Sequence, residues 1–97
     1  MIDLGTLGGD SSEADGINSQ GEIVGESDVK PGDGTLPTGR HTHAFVYANG
    51  KMIDLNTRIP RGTKWVLEMA NAINNSGQVL CMGTQGEQTH AFLLTPK

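Results

Sequence analysis

The sequence predicts an all-β protein, on three observations. Short apolar runs alternate with turn residues along the 97 residues, and 14 of these residues are glycine. The segment His43–Leu55 resembles a β-hairpin, because Asn49-Gly50 suits the positive φ angles of a two-residue type I′ turn. Both halves of this hairpin recur elsewhere in the chain, which is typical of a repeat architecture.

Three segments of the sequence occur twice, with different spacings between their copies. Because loops tolerate changes of length, the drift in spacing predicts equivalent elements joined by connections of different length. We interpret the chain as one all-β domain over residues 1–97, with repeats at about 1–51 and 52–97. The repeated pairs are Met1–Leu4 with Met52–Leu55, Ala14–Val24 with Ala70–Leu80, and Thr42–Tyr47 with Thr89–Leu94.

Each repeat is expected to form four antiparallel strands in two hairpins. Ser19-Gln20-Gly21 predicts a three-residue turn with Gly21 in the left-handed region, so that Ile17 faces Ile23. The equivalent turn, with Gly77 in the left-handed region, predicts that Ile73 faces Val79, Ala72 faces Leu80 and Asn71 faces Cys81. Long loops are expected at Asp28–Arg40 and Asn56–Thr63, where proline and glycine cluster. The eight predicted strands are Met1–Leu4, Glu13–Asn18, Glu22–Ser27, Thr42–Ala48, Lys51–Leu55, Lys64–Asn74, Gln78–Thr84 and Thr89–Thr95.

Two of the predicted strands, Met1–Leu4 and Thr89–Thr95, lack a hairpin partner of their own. Because open strand edges invite aggregation, we expect these two strands to pair and to close the fold as a small barrel or sandwich. The same pairing between chains would give a homo-oligomer. The alternative fold is two propeller-like blades, which cannot close a ring alone because propellers use about 4–8 blades.

The predicted core consists of apolar residues from the repeated hairpins. Phe45 and Phe92 are expected to be enclosed within it. The other predicted core residues are Ile17, Ile23, Val46, Ile53, Leu55, Ile73, Val79, Leu80 and Leu93.

Composition limits the classes of partner. The formal net charge is −4, which argues against nucleic acid, since phosphate binding needs a basic face. No apolar run approaches the roughly 18 residues of a membrane span, and the N-terminus lacks a signal-peptide pattern. The single cysteine, Cys81, cannot form an intrachain disulfide and is expected to be a buried structural thiol.

Three histidines are the strongest candidates for chemistry. His41 and His43 share one face of a predicted strand and could bind a metal together with His90, although a site needs roughly three or four ligands. A structural role is favoured, because His43 and His90 occupy equivalent repeat positions. We expect His43 to pair with Asp54 and His90 to pair with Asp3.

No other motif indicates catalysis. A Ser-His-Asp site lacks the Gly-x-Ser-x-Gly elbow, the acidic residues lack the spacing of a calcium loop, and Gly5–Gly9 is not followed by the helix and lysine of a phosphate loop. The sequence therefore assigns no catalytic, cofactor or metal residue. The serines considered were Ser11, Ser12, Ser19, Ser27 and Ser76, and the acidic residues were Asp10, Glu13, Asp15, Asp28 and Asp33.

Nearly the whole chain, except Asp28–Arg40, resembles the HAF repeats of predicted extracellular bacterial proteins. The resemblance implies a repeat architecture and an extracellular or cell-surface location, and it implies no reaction. The segments that carry it are His43-Ala44-Phe45, Asn49-Gly50, Met52–Leu55, Leu4–Gly9, Ile17–Gly25, Trp65–Asn74 and His90–Pro96.

The sequence thus predicts a non-catalytic surface or secreted interaction module with an unknown protein or glycan partner. The alternative is a small metal-dependent or hydrolytic enzyme that uses His41, His43 or His90.

Overall fold

The computed structural model describes residues 1–29, 42–60 and 62–96. Most of the predicted loop Asp28–Arg40, and His41 with it, lie outside these described residues. Seven strands and one short 3₁₀ helix, η1, form within the described residues. They are β1 (Gly8–Ile17), β2 (Ile23–Val29), β3 (Thr42–Ala48), β4 (Lys51–Asp54), η1 (Leu55–Arg58), β5 (Val66–Ile73), β6 (Val79–Gln85) and β7 (Gln88–Leu94).

The strands form two antiparallel sheets, which confirms the all-β prediction. Sheet A has the order β1-β2-β3-β4 and sheet B has the order β5-β6-β7. The sheets pack against each other in a sandwich-like arrangement, in which β5 lies against β1, β2 and β3. The described strands do not close into a barrel, so the predicted barrel closure is wrong.

Closure fails because the N-terminal segment is held beside β2. Met1–Leu4 forms no strand, and Gly5 bends the chain with a φ of 84° while its N–H donates to Asp3 Oδ1 at 2.9 Å. Leu7 then forms a parallel bridge with Val29, and its N–H donates to Ser27 Oγ at 2.8 Å. The chain therefore joins sheet A instead of reaching β7.

The two sheets share the same strand pairing. Ile17 faces Ile23 in sheet A, and Ile73 faces Val79 in sheet B, as predicted. Both β1 and β5 also carry an irregularity two pairs further along, so Cys81 faces Ala70 and the expected pairing of Cys81 with Asn71 is wrong. The sequence repeat therefore includes an irregularity that the apolar pattern alone does not reveal.

Turn glycines have the backbone conformation that the sequence predicts. The φ angles of Gly21, Gly50 and Gly77 are 80°, 78° and 82°, and Asn49 has a φ of 54°. A positive φ at both Asn49 and Gly50 is the requirement of a type I′ turn.

The core lies between the facing sides of the two sheets. Val24 and Ala44 of sheet A pack against Leu67, Ala70 and Cys81 of sheet B, and all five are buried. Of these five residues, the sequence indicated only Cys81 as buried. The other buried residues that it indicated are Phe45, Leu55 and Val79.

Three predicted core residues are exposed: Ile17 by 66%, Leu80 by 43% and Leu93 by 59%. Both faces of these strands carry apolar residues, but only one face of each sheet meets the other sheet. Side chains alternate along a strand, so the residues next to buried ones point away from the core. The remaining five predicted core residues, Ile23, Val46, Ile53, Ile73 and Phe92, are half-buried.

Candidate functional site: two histidines with different partners

His43 and Asp54 form a hydrogen-bonded side-chain pair between β3 and β4 of sheet A. The register of β3 and β4 places Phe45 opposite Asp54, which makes His43 the diagonal neighbour of Asp54. His43 Nδ1 donates to Asp54 Oδ2 at 2.7 Å, as the sequence predicts. Both side chains are largely buried, so this bond fastens β4 to β3 away from bulk solvent.

Asp54 also caps the η1 turn and connects the two sheets. Asp54 Oδ1 accepts from the N–H and the side-chain amide of Asn56, at 2.9 and 3.1 Å. Asn56 in turn exchanges two hydrogen bonds with the backbone of Leu67 in β5, at 2.8 and 2.9 Å. Burial raises the pKa of Asp54. The hydrogen bonds from His43 and Asn56 together lower it by more than burial raises it, so the net pKa lies below 3.8.

Ser27 lies opposite His43 in the register, but the three residues do not form a nucleophilic triad. Ser27 Oγ accepts from Leu7 N–H and donates to the carbonyl oxygen of Asp28. His43 Nε2 is buried without a hydrogen-bond partner, so it does not activate the serine hydroxyl. Of the other serines, Ser19 and Ser76 lie in turns and Ser11 and Ser12 lie on β1.

His90 has a different partner from its repeat equivalent His43. The expected pair of His90 with Asp3 does not form, because Asp3 belongs to the N-terminal turn that joins sheet A. The His90 ring instead stacks on Trp65, with 4.6 Å between ring centroids and 33° between planes. The equivalent histidines therefore have an acidic partner in sheet A and an aromatic partner in sheet B.

Trp65, His90 and Phe92 form an aromatic cluster at the end of sheet B. The Trp65 and Phe92 rings meet edge to face at 5.1 Å, and His90 lies 6.3 Å from Phe92. Trp65 also borders an open groove with Ile59, Pro60 and Thr63. This cluster was not predicted from the sequence, although the single tryptophan of the chain was a signal for it.

No group of three or more metal-ligating side chains is present among the described residues. His43 and His90 have separate partners, and His41 and Asp33 lie outside the described residues. No described helix is long and apolar enough to cross a membrane.

Cys81 is a buried thiol in the core, as expected. Its side chain is fully buried, and burial raises its pKa to about 11. At neutral pH it is therefore a protonated thiol, which is a poor nucleophile.

The two Ile-Asn-x-x-Gly turns contact each other. Asn18 Nδ2 donates to the carbonyl oxygen of Asn74 at 3.0 Å, and Ser19 N–H donates to Asn75 Oδ1 at 2.9 Å. Asn18 and Asn74 are equivalent repeat positions, as are Ser19 and Asn75. Equivalent turns thus lie side by side, with the donors in the first repeat and the acceptors in the second.

These features define the chain as an all-β protein with paired, repeat-related sheets. The family described as Protein of unknown function (DUF3466) matches residues 5–91, and the chain belongs to this family. Comparisons with curated proteins and with solved structures gave no match.

The family match corrects the resemblance to HAF repeats. The matching model is that of DUF3466 and covers most of the chain, while nothing in the comparisons indicates an HAF-repeat family. The repeated segments themselves are present, but short His-Ala-Phe and Met-Ile-Asp-Leu motifs are too brief to identify a family. The extracellular location rested on that resemblance and loses its support with it.

Proposed function

We propose that this chain is a non-catalytic interaction module in which two blade-like repeats present an apolar sheet face to a protein partner. The face in question is the side of sheet B that points away from sheet A, and we call it the outer face of sheet B. It carries Leu80 and Met82 of β6 and Ala91 and Leu93 of β7.

One observation carries this proposal: repeat positions that are buried in sheet A are exposed in sheet B. Val24 and Ala44 are fully buried against sheet B, whereas their equivalents Leu80 and Ala91 are exposed. Leu93, the equivalent of half-buried Val46, is also exposed. An apolar face of this kind marks a surface that another protein covers.

The blade-like interpretation is supported by the strand order and by the paired turns. Sheet A is a four-stranded antiparallel meander, which is the composition of one propeller blade, and sheet B has the first three of these strands. In propellers the blades are arranged radially about a central channel, so equivalent turns of neighbouring blades lie close together there. The contact of Asn18 with Asn74 fits this arrangement.

The alternative of a small hydrolytic or metal-dependent enzyme has less support. His43 is held by Asp54, but its Nε2 atom is buried and has no partner that could be activated. His90 stacks on Trp65, and the contacts described for its ring are aromatic rather than acidic. General-base catalysis needs a base within hydrogen-bond reach of the group it activates.

A second binding surface is favoured by the aromatic cluster of Trp65, His90 and Phe92. Tyrosine and tryptophan are enriched at interfaces, because their rings supply large apolar area. The adjoining groove adds the hydroxyl groups of Thr57 and Thr63. This surface suits a glycan or an extended peptide, and Trp65→Ala with a glycan-array readout tests it.

An apolar fluorescent dye such as 8-anilinonaphthalene-1-sulfonate tests the proposed binding face. We expect the folded protein to enhance dye fluorescence, and Leu80→Thr with Leu93→Thr to lower the enhancement several-fold. The matched control, Gln88→Asn with Thr89→Ser on β7, should leave it unchanged. Equal dye binding by all three proteins would contradict the proposal.

Metal analysis and ester hydrolysis test the catalytic alternative on the same preparations. Stoichiometric metal would contradict a non-catalytic module, and so would ester turnover that is present in the wild type and absent in both His43→Ala and His43→Asn. A melting curve of each variant distinguishes loss of activity from loss of the fold.

A further inference from the structure

We propose that the partner of sheet B is a second copy of this chain, whose Met1–Leu4 segment adds as a fourth strand beside β7. This inference rests on the proposed function, because it names the protein that covers the outer face. Sheet A already shows the completed arrangement within the chain, since β4 lies beside β3.

The edge of β7 is the site that would receive the added strand. Among the strands that the structure describes, β7 pairs with β6 on one side and with no strand on the other. In sheet A the equivalent strand β3 has β2 on one side and β4 on the other. Adding a strand to an open sheet edge provides main-chain hydrogen bonds, and side-chain pairs give specificity.

Met1–Leu4 has the sequence of the missing strand. It is identical to Met52–Leu55, and its Ile2 is 79% exposed. One hydrogen bond of the following turn is also equivalent, because Gly5 N–H donates to Asp3 Oδ1 just as Asn56 N–H donates to Asp54 Oδ1, both at 2.9 Å. Asp3 therefore already makes the contact that Asp54 makes at the end of β4.

The register of β3 with β4 fixes the contacts of the added strand. Val46 faces Ile53 and Phe45 faces Asp54 in sheet A. Transfer of this register places Ile2 opposite Leu93 and Asp3 opposite Phe92. Asp3 would then be diagonal to His90, the position that Asp54 occupies toward His43.

The packing of the two sheets predicts how the second copy would sit. Within the chain, the face of sheet A with Val24 and Ala44 packs on the face of sheet B with Ile73 and Val79. This packing leaves two faces, and each is equivalent by the repeat to a face that it uses. The outer face of sheet B is equivalent to the face of sheet A with Val24 and Ala44, and the side of sheet A that carries Ile17 is equivalent to the face of sheet B with Ile73 and Val79. Ile17 is 66% exposed, while its equivalent Ile73 packs against the core.

The sheet stacking and the strand addition can both form in one head-to-tail arrangement of two copies. The first repeat of the second copy would stack on sheet B as the second repeat stacks on sheet A, and its preceding Met1–Leu4 segment would reach β7 of the first copy. Such a contact joins two different surfaces, so repeated addition gives a ring or an open filament.

Sedimentation velocity on the full chain, over a wide range of protein concentration, tests the assembly. Leu93→Lys blocks the receiving edge and Ile2→Glu blocks the added strand, and both side chains are exposed in the single chain. We expect each variant alone to weaken self-association at least tenfold. Their equimolar mixture should recover it, because the lysine introduced in one variant then faces the glutamate introduced in the other.

The control pair is Glu87→Lys with Lys51→Glu, which are exposed positions on the β6–β7 turn and at the start of β4, outside the outer face of sheet B, the paired turns and the proposed pairing of Ile2 with Leu93. Recovery by the first mixture and no effect of the control pair support the proposal. A wild-type chain that stays monomeric at millimolar concentration, or single variants that associate like wild type, would overturn it. Retained dye binding at the outer face with no self-association would overturn this inference and leave the proposed function standing.

Discussion

Sheets A and B have the same strand pairing but differ in what covers them. The same two repeat positions face each other in both sheets: Ile17 faces Ile23 in sheet A, and their equivalents Ile73 and Val79 face each other in sheet B. Their burial differs, since Val24 is fully buried and its equivalent Leu80 is exposed. Strand pairing therefore follows from the repeated sequence, whereas the burial of a side chain depends on whether another sheet packs against that face of its own sheet.

The two histidines show the same difference at the level of single side chains. His43 bonds to Asp54 because β4 lies beside β3. For His90, no strand of the described residues lies beside β7 in the place of β4, and the His90 ring stacks on Trp65 instead. Trp65 is the only tryptophan of the sequence and directly precedes β5, so this aromatic partner is specific to sheet B.

The largest expected difference between the sheets is at the equivalent phenylalanines. Phe45 is 1% exposed, so Phe45→Ala should lower the free energy of unfolding by about 3–5 kcal/mol. Phe92 is only half-buried at the edge of sheet B, and Phe92→Ala should cost about half as much. Urea denaturation measures both. Equal losses would show that Phe92 is as enclosed as Phe45 in solution.

Gly25 should be the least tolerant glycine of the β1–β2 pair. A Cβ atom at Gly25 would overlap the carbonyl oxygen of Glu13, which is backbone and cannot rotate away. We expect Gly25→Ala to destabilise the protein by roughly 1–3 kcal/mol, the range of overpacked substitutions. The matched control is Gly16→Ala, whose Cβ would meet Ala72 at an ordinary 3.4 Å. Similar melting temperatures for the two variants would show that β1 lies further from β2 than the structure places it.

Asp54 should make the stability of sheet A sensitive to acid. Its pKa is lower in the folded state than its ordinary value of 3.8, so the ionised form stabilises the fold. This contribution is fully present above 3.8 and is lost as the pH falls through the folded-state pKa. Asp54→Asn should cost about 1–2 kcal/mol at pH 7 and should reduce the loss of stability in acid. Asp15→Asn is the comparison variant, since Asp15 is exposed on β1, and its free energy of unfolding at pH 7 should equal that of the wild type.

Local features of the fold were predictable because they depend on neighbouring residues. The Asn49-Gly50 turn, the hairpin at Gly21 and the bond of His43 with Asp54 follow from turn geometry and register. Each of these interactions is set within one hairpin, so the residues of that hairpin are enough to predict it.

Features that depend on contacts between the sheets were not predictable from one sequence. Alternating apolar residues on both faces of a strand do not indicate which face meets another sheet, so Leu80 and Leu93 were expected in the core. The place of Met1–Leu4 depends on where Gly5 bends the chain, and the apolar pattern carries no information about that bend. The link from Asn56 to Leu67 depends on η1, a turn that the sequence suggested only as a loop.

The smallest expected difference concerns the equivalent turns at Gly21 and Gly77. Both glycines have a positive φ, near 80°, so replacement by alanine should cost about 1 kcal/mol at either position. The surroundings differ, because a Cβ at Gly21 has open space whereas one at Gly77 would lie 3.1 Å from the Pro96 side chain. Gly77→Ala should therefore be slightly more destabilising than Gly21→Ala in thermal denaturation, and removal of Pro96 by Pro96→Gly should abolish the extra loss. A larger effect at Gly21 would show that its turn is the more crowded one, and that the contact of the two turns is closer than the bonds from Asn18 and Ser19 indicate.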